Sequence, residues 1–312
     1  MKTGIFISAG LGDAVLLVPL IKKLKTLGSV TGLFDSPFQC QELFKRGDLF
    51  DDIIVLDSYL AYLKTGMKYS RQFDLMFLNY FSTKKKNLFL SLMVSKEVRI
   101  NNPNINCFGF GKQKIKSIKP IPEVHESLQN LRLYDSNISM DQIHEIDFNI
   151  NHKEAISQKE QLLPFDHPYI SIQICSANNK QQHKNWPIKY WSSLILLLTQ
   201  KYPNLRFVLI GDNNEAKLAE QILENQNEKV ISIAGKTSIS NLIQVIGNSL
   251  VFIGLDGGPM HIAVSQRIPT FTIWGGSNYN MYGYQNINAE NHKIVFNKLP
   301  CHPCNSWINP NT

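Results

Sequence analysis

Long apolar runs are missing from this chain. No stretch of about 18 apolar residues occurs among its 312, so no transmembrane helix is expected. The first residues, Met1-Lys2-Thr3-Gly4-Ile5-Phe6-Ile7-Ser8, hold too short an apolar run for a secretory signal and no small-residue cleavage site follows, which points to the cytoplasm. Cysteine is scarce. Five of them, scattered and odd in number, argue against a disulfide framework and for a reducing compartment. One close pair, Cys301 and Cys304, forms a Cys-x-x-Cys that is half of a zinc site; no second pair follows, so a structural turn is expected there and no metal. Asp-x-Asp is absent, and with it the usual carboxylate pair for a metal–nucleotide complex. Gly-x-Ser-x-Gly, the nucleophile elbow of hydrolases, is absent too. Zinc-finger spacings and RNP-like segments are lacking, which excludes nucleic acid as the expected partner.

What is present describes a folded protein. Apolar residues make up 43% and charged residues 18%, and the length suits two domains. The formal charge of +7 is uneven. Residues 64–132 hold 13 basic residues against the acidic Asp74, Glu97, Glu123 and Glu126, a local +9 that includes the run Lys84-Lys85-Lys86. Such a stretch is either a solvated surface or a surface for an anionic partner: a phosphorylated glycolipid or an acidic membrane.

Strand and helix signals alternate along the chain. Short β-prone runs lie at 4–7, 30–34, 52–56, 73–78 and 97–100. After Gly10-Leu11-Gly12-Asp13 a helical pattern is expected through Val15, Leu16, Pro19, Leu20, Ile21, Leu24 and Leu27, ended by Gly28, with Pro19 tolerated or kinking; others are expected at 37–46, 58–69, 84–94 and 124–134. Polar residues with Pro164 and Pro168 fill 151–168 and read as a linker. The alternation then restarts with strands at 169–174, 205–210, 229–233, 250–253 and 269–273, and helices at 188–201, 214–225, 239–247 and 258–266. The expected class is therefore α/β, with two Rossmann-like domains, 1–160 and 161–312, facing across a cleft.

Three segments could carry chemistry. Gly10-Leu11-Gly12-Asp13 joins the first strand to the first helix, and its glycines would allow a tight turn and close approach to a ligand. A dinucleotide fingerprint would need Gly or Ala at Val15 and an acidic residue after the second strand, where Asp35 is the one candidate, so a nicotinamide site is a poor fit. Asp13 can cap the helix or serve as a general base. The second segment, Asp256-Gly257-Gly258-Pro259-Met260-His261, follows a strand and opens a helix. Its glycines, the helix-opening Pro259 and His261 suit a phosphate or diphosphate. The third is the polar loop from Cys175 to Pro187, where Lys184 could neutralise a phosphate leaving group; a solvated loop is the plain alternative.

These residues together carry a resemblance. Gly12-Asp13, Lys184-Asn185-Trp186-Pro187, Gly211-Asp212 with Glu215, and Asp256-Gly257-Gly258-Pro259-Met260-His261-Ile262-Ala263 stand in the order seen in glycosyltransferase family 9, whose best-known members are ADP-heptose:lipopolysaccharide heptosyltransferases. The resemblance spans nearly the whole chain, strongest over 169–276 and thinnest over 30–165. It implies the GT-B architecture, with the acceptor in the first domain and a nucleotide-sugar in the second. It also implies inverting, metal-independent transfer without a cofactor. Asp13 then matches the catalytic base, beside the acceptor-side loop of Gly10 and Gly12. Lys184 matches the donor phosphate- and sugar-binding lysine, and Asp256 the acid that contacts the transferred sugar. Gly257, Gly258 and His261 match the diphosphate surroundings. Glu215, Thr237 and Gly211 fall at nucleotide-binding positions. Ser176 and Asn178 are further phosphate candidates. Where the family frequently has Thr or Ser, this chain has Gly257, so one hydroxyl near the phosphate is lost.

The implied partners are a nucleotide-sugar, ADP-heptose first, and an anionic glycolipid or glycan acceptor of the lipopolysaccharide core, with peripheral contact at the cytoplasmic face of the inner membrane. Two other readings use the same fold. A nucleotide-sugar epimerase or hydrolase would release free or isomerised sugar without an acceptor, and a non-catalytic partner protein would bind nucleotide without turnover.

Overall fold

The computed structural model describes residues 1–8, 10–35, 38–45, 47–102, 111–139, 142–143, 146–150, 163–175, 184–300 and 302–303. The chain divides into two compact units, Met1–Lys153 and Glu154–Thr312. The expected linker falls largely within 151–162, outside the described residues, as do Ser176, Asn178, Cys301 and Cys304.

In the first unit, strands β1 (Lys2–Ile7), β2 (Ser29–Phe34), β3 (Asp52–Val55), β4 (Phe73–Leu78), β5 (Ser95–Ile100) and β6 (Ile115–Ser117) form one parallel sheet in the order β3-β2-β1-β4-β5-β6. Ile5 of the central strand pairs with Gly32 on one side and Phe77 on the other. Helices α1 (Leu11–Leu16), α2 (Val18–Lys25), α3 (Tyr59–Lys68), α4 (Lys85–Val94) and α5 (Glu126–Arg132) accompany it. The single helix expected after β1 is broken at Leu17. Pro19 has no N–H for the Val15 carbonyl, so the first helix stops and α2 opens with Pro19 in its first turn. The helix expected over 37–46 is only a 3-10 turn, Cys40–Leu43, entered through Gln39 in the left-handed region at φ 50°.

The second unit repeats the plan. Strands β7 (Tyr169–Gln173), β8 (Arg206–Ile210), β9 (Val230–Ser232), β10 (Val251–Leu255), β11 (Thr270–Trp274) and β12 (His292–Phe296) run parallel in the order β12-β11-β10-β7-β8-β9. Ile172 of β7 pairs with Leu209 and with Ile253. Helices α6 (Ile188–Lys201), α7 (Asn213–Leu223), α8 (Ile239–Gly247), α9 (Gly258–Ser265) and α10 (Tyr279–Tyr282) complete it. Counted from each unit's first strand, both orders are the doubly wound 3-2-1-4-5-6 arrangement, with its switch point between the first and fourth strands. The strands β6 and β12 lie at sheet edges, where polar residues such as Lys116 and Lys293 are tolerated; β6 is only Ile-Lys-Ser, while β12 carries the apolar run Ile294-Val295-Phe296.

Helices on both faces explain the composition of the central strands. Ile5-Phe6-Ile7 and Phe207-Val208-Leu209-Ile210 are continuous apolar runs and all are buried. In the first unit Phe6, Leu33, Phe73, Met76 and Val98 share a core; in the second Ile172, Trp191, Ile195, Phe207 and Leu209 do. Leu209→Ala should lower unfolding free energy by about 2–5 kcal/mol. Leu197→Ala, on the exposed side of α6, should stay within about 0.5 kcal/mol of the parent. Urea unfolding of both variants measures the contrast.

Candidate active site

In a parallel sheet the loops that follow the strands emerge at one edge, and at the switch point neighbouring loops diverge and leave a crevice. The first unit places Ser8, Gly10 and Asp13 there. Gly10 caps α1, and its N–H donates to Oδ2 of the half-buried Asp13 at 3.0 Å. The capping role anticipated for Asp13 is thus present; each carboxylate oxygen has two lone pairs, so accepting from Gly10 N–H leaves room for a further donor. The tight-turn reading of the glycines needs correction for Gly10. Its φ of −74° and ψ of 177° are ordinary extended backbone, and a Cβ would sit 3.6 Å from Asp13 Oδ2, an ordinary contact. Gly12 lies inside α1.

Asp35, at the end of β2, is not available to a ribose. Its carboxylate side chain is fully buried, Tyr62 Oη donates to Oδ2 at 3.1 Å, and Lys84 and Lys86 reach the same oxygen at 3.4 and 3.3 Å. Burial by itself would raise its pKa, but the bond from Ser8, the Lys84 charge and the bonds from Tyr62 and Asn87 win and lower it. Asp35 therefore holds part of the basic run in place.

Sequence reasoning missed Glu126 as a neighbour of Asp13. It is the first residue of α5, a helix that packs on α1 and α2 and is tied to them by Asn130 Nδ2 donating to Leu16 O at 3.2 Å. Glu126 is 8% exposed and its Oε1 has no partner. Burial, and then the charge of Asp13, push it up to about 8. In the sequence it is one of four acidic residues in a basic segment, and nothing local sets it apart from Glu123 three positions before it.

The second unit assembles its switch-point residues from β7, β10 and the loop before α6. Lys184 Nζ meets Asp256 Oδ2 at 2.5 Å, across 72 positions of sequence, and both side chains are nearly buried. Gly257 caps α9, and the first amides of a helix lie beyond its own carbonyl ladder, where they can face an anion. Gln173 lies beneath. Its Nε2 donates to Cys175 O at 2.8 Å, its Oε1 is buried without a partner, and a Cβ on Gly257 would come within 3.2 Å of it. His261 is buried and its Nδ1 is 2.6 Å from Tyr284 Oη. Burial, only partly offset by Asp256 and reinforced by Lys184, pushes His261 down to about 4, so at neutral pH it is an uncharged hydrogen-bonding group.

The nucleotide-binding candidates gather at the ends of β8 and β9. Glu215 folds back beneath Gly211, where a Cβ would collide with its carboxylate. Its Oε2 accepts from Asp212 N–H at 2.6 Å in a capping box, while its buried Oε1 is unpaired. Burial pushes it up to about 7, against the lowering effect of that backbone bond and with some help from Asp212. Gly235 N–H donates to Gly211 O at 3.0 Å, and Gly235, at φ +73°, leaves room for Asn213; half-exposed Thr237 follows it. Among the described residues, no three His, Cys, Asp or Glu side chains group as metal ligands. No helix among them is long and apolar enough to cross a membrane.

The family model "Glycosyltransferase family 9 (heptosyltransferase)" matches residues 55–311. The chain belongs to glycosyltransferase family 9. It is 26% identical over 315 residues to lipooligosaccharide heptosyltransferase 2 of Campylobacter jejuni, an alignment covering 97% of this chain and 89% of that one. Its fold is that of E. coli ADP-heptose lps heptosyltransferase II (TM-score 0.75, 14% identity, 100% of this chain and 98% of that one) and of E. coli heptosyltransferase WaaC with ADP (TM-score 0.70, 15% identity, 96% and 94%). The expected α/β class and GT-B architecture are thereby met, and the family 9 chain is a glycosyltransferase.

A pH test follows from Glu126 in this glycosyltransferase. Its pKa rises on folding from 4.5 to about 8, so the folded state holds a proton that the unfolded chain has released across that window. The associated stability is complete below about 4.5 and is lost as pH rises through about 8. Glu126→Gln cannot ionise, so its Tm relative to the parent should climb across the window. A Tm difference that does not change with pH would show that Glu126 does not titrate this way.

Proposed function

We propose that this family 9 enzyme transfers a heptose from ADP-heptose to a hydroxyl of a lipopolysaccharide-core acceptor, with inversion and without a metal. The observation that carries the reading is the Lys184–Asp256 contact at the mouth of α9, supported by the family match and by the heptosyltransferase relatives.

The chemistry follows from the side chains. The acceptor hydroxyl gives its proton to Asp13 as its oxygen attacks the anomeric carbon. The bond from that carbon to the diphosphate oxygen breaks on the opposite face, so configuration inverts and ADP departs. Charge accumulates on the leaving diphosphate, where Lys184 and the first-turn amides of α9 at Gly257 and Gly258 stabilise it; preorganised donors of this kind contribute several kcal/mol. Neutral His261 adds a hydrogen bond without adding a charge. Asp256 orients Lys184 and accepts from the sugar hydroxyls. Glu215, Thr237 and Gly211 receive the nucleoside, with the unpaired Glu215 Oε1 as an acceptor for a ribose hydroxyl. The acceptor is anionic and the enzyme works at the cytoplasmic face of the inner membrane.

Asp13→Asn should lower kcat by roughly 10²–10⁴-fold and leave donor affinity near that of the parent. Lys184→Ala should weaken donor binding by about tenfold or more, as the loss of a charged hydrogen bond does. ADP release with a lipopolysaccharide-core acceptor measures the first. Thermal stabilisation across a panel of nucleotide-sugars measures the second, and a preference for another donor would replace ADP-heptose in this reading. Sugar release without acceptor would instead mark a hydrolase, and donor binding with no turnover a non-catalytic partner.

A further inference from the structure

The face of the first unit formed by α3 and α4 is unlike the rest of its surface. Tyr59, Leu60, Leu63 and Met67 are 84, 57, 63 and 73% exposed on α3, and Phe89 and Met93 are 66 and 40% exposed on α4. On α3 the exposed positions run 59, 60, 63, 64, 67 and 68, the spacing of one helical face, while Thr65 and Gly66 are turned inward and buried. On α4 the exposed column is Lys85, Phe89 and Met93. The two columns join. Gly66 has no side chain, and a Cβ there would come within 3.2 Å of Met93 Cε and 3.4 Å of Leu90 Cδ1, so the helices meet closely at this glycine. Soluble surfaces seldom expose so many large apolar side chains together without a purpose.

Charge selects the occupant. Lys64 and Lys68 lie beside the apolar column of α3, and Lys84, Lys85 and Lys86 at the start of α4; all are exposed. Neither helix contains an acidic residue. Lys84 and Lys86 are held by buried Asp35, and Lys86 Nζ stands 4.7 Å from the centre of the Tyr62 ring. An apolar strip edged by lysines, with tyrosine at one end, matches a bilayer interface: apolar side chains enter the acyl boundary while ammonium groups remain among anionic headgroups. A second copy fits less well, because two-fold pairing of this face would set lysines against lysines.

We propose that the exposed face of α3 and α4, centred on Leu63, Met67 and Phe89 and edged by Lys64, Lys68 and Lys85, docks the enzyme on an anionic phospholipid surface. This deepens the membrane contact in the proposed function by naming the surface, and it does not depend on the donor or acceptor.

The test is co-sedimentation of the full chain, without substrate, with vesicles of phosphatidylglycerol and phosphatidylethanolamine or of phosphatidylcholine alone. The parent should bind the anionic vesicles, more weakly as salt rises, and leave the neutral ones. Leu63→Ser with Met67→Ser and Phe89→Ser should weaken binding on the order of a hundredfold. Lys64→Glu with Lys68→Glu should weaken it about tenfold or more and remove most of the salt dependence. Leu197→Ser, an exposed apolar change on α6, should bind as the parent does. Tm values near that of the parent, and parental transfer rates to a water-soluble acceptor, show that the variants are folded. Folded variants that bind like the parent overturn the proposal. So does a parent that ignores anionic vesicles and sediments as a dimer which the serine variant dissolves. Loss of heptose transfer with vesicle binding intact would count against the activity and leave the surface standing.

Discussion

A parallel strand cannot turn straight back to pair with its predecessor; it must cross over, usually through a helix, and begin again at the same end. That constraint organises this molecule. Every described strand pairing is parallel, so each unit sends all its strand-to-helix loops to one edge. The doubly wound order then separates neighbouring loops beside β1 and β7. Asp13 follows β1 in the first unit, while Lys184 and Asp256 follow β7 and β10 in the second, so each unit carries its candidate residues at its own switch point.

Electrostatics at these edges are set by which groups burial has left with partners. Lys184 and Asp256 enter a nearly buried place as opposite charges in contact, which limits the cost of desolvating either. Asp35 is buried among donors and cations and stays ionised. Glu126, close to Asp13 and lacking a partner for one oxygen, answers burial by holding its proton. His261 answers it by shedding one. The same desolvation thus favours the protonated form of one carboxyl and the uncharged form of one histidine, according to what stands nearby.

The α3–α4 face shows a different use of the fold. In a doubly wound unit the helices cover the sheet with their inner sides, and their outer sides are normally polar. Here Gly66 draws two helices together on the inside while apolar residues remain outside, so packing of the core and display of the strip are separate tasks of the same residues' neighbours.

Much of this was legible in order along the chain. The continuous runs Ile5-Phe6-Ile7 and Phe207-Val208-Leu209-Ile210 announce strands buried on both faces, and Asp256-Gly257-Gly258-Pro259 announces a helix entry, because local periodicity and backbone freedom are properties of neighbouring residues. Legible from the resemblance were the family and the candidate site residues of both units. Edge strand β6 escaped, since a short strand paired on one side need not be apolar; β12 went unread although Ile294-Val295-Phe296 is a β-prone run. Glu126 escaped as well: it is 113 positions from Asp13, and only the docking of α5 on α1 brings it near. Sequence alone determined the α/β alternation and the positions of Asp13, Lys184 and Asp256. Tertiary structure decided that Asp35 is spent on Lys84 and Lys86, that Glu126 keeps its proton and that the α3 strip stays exposed, because burial and charge contact are relations between distant segments that exist only after the chain has packed.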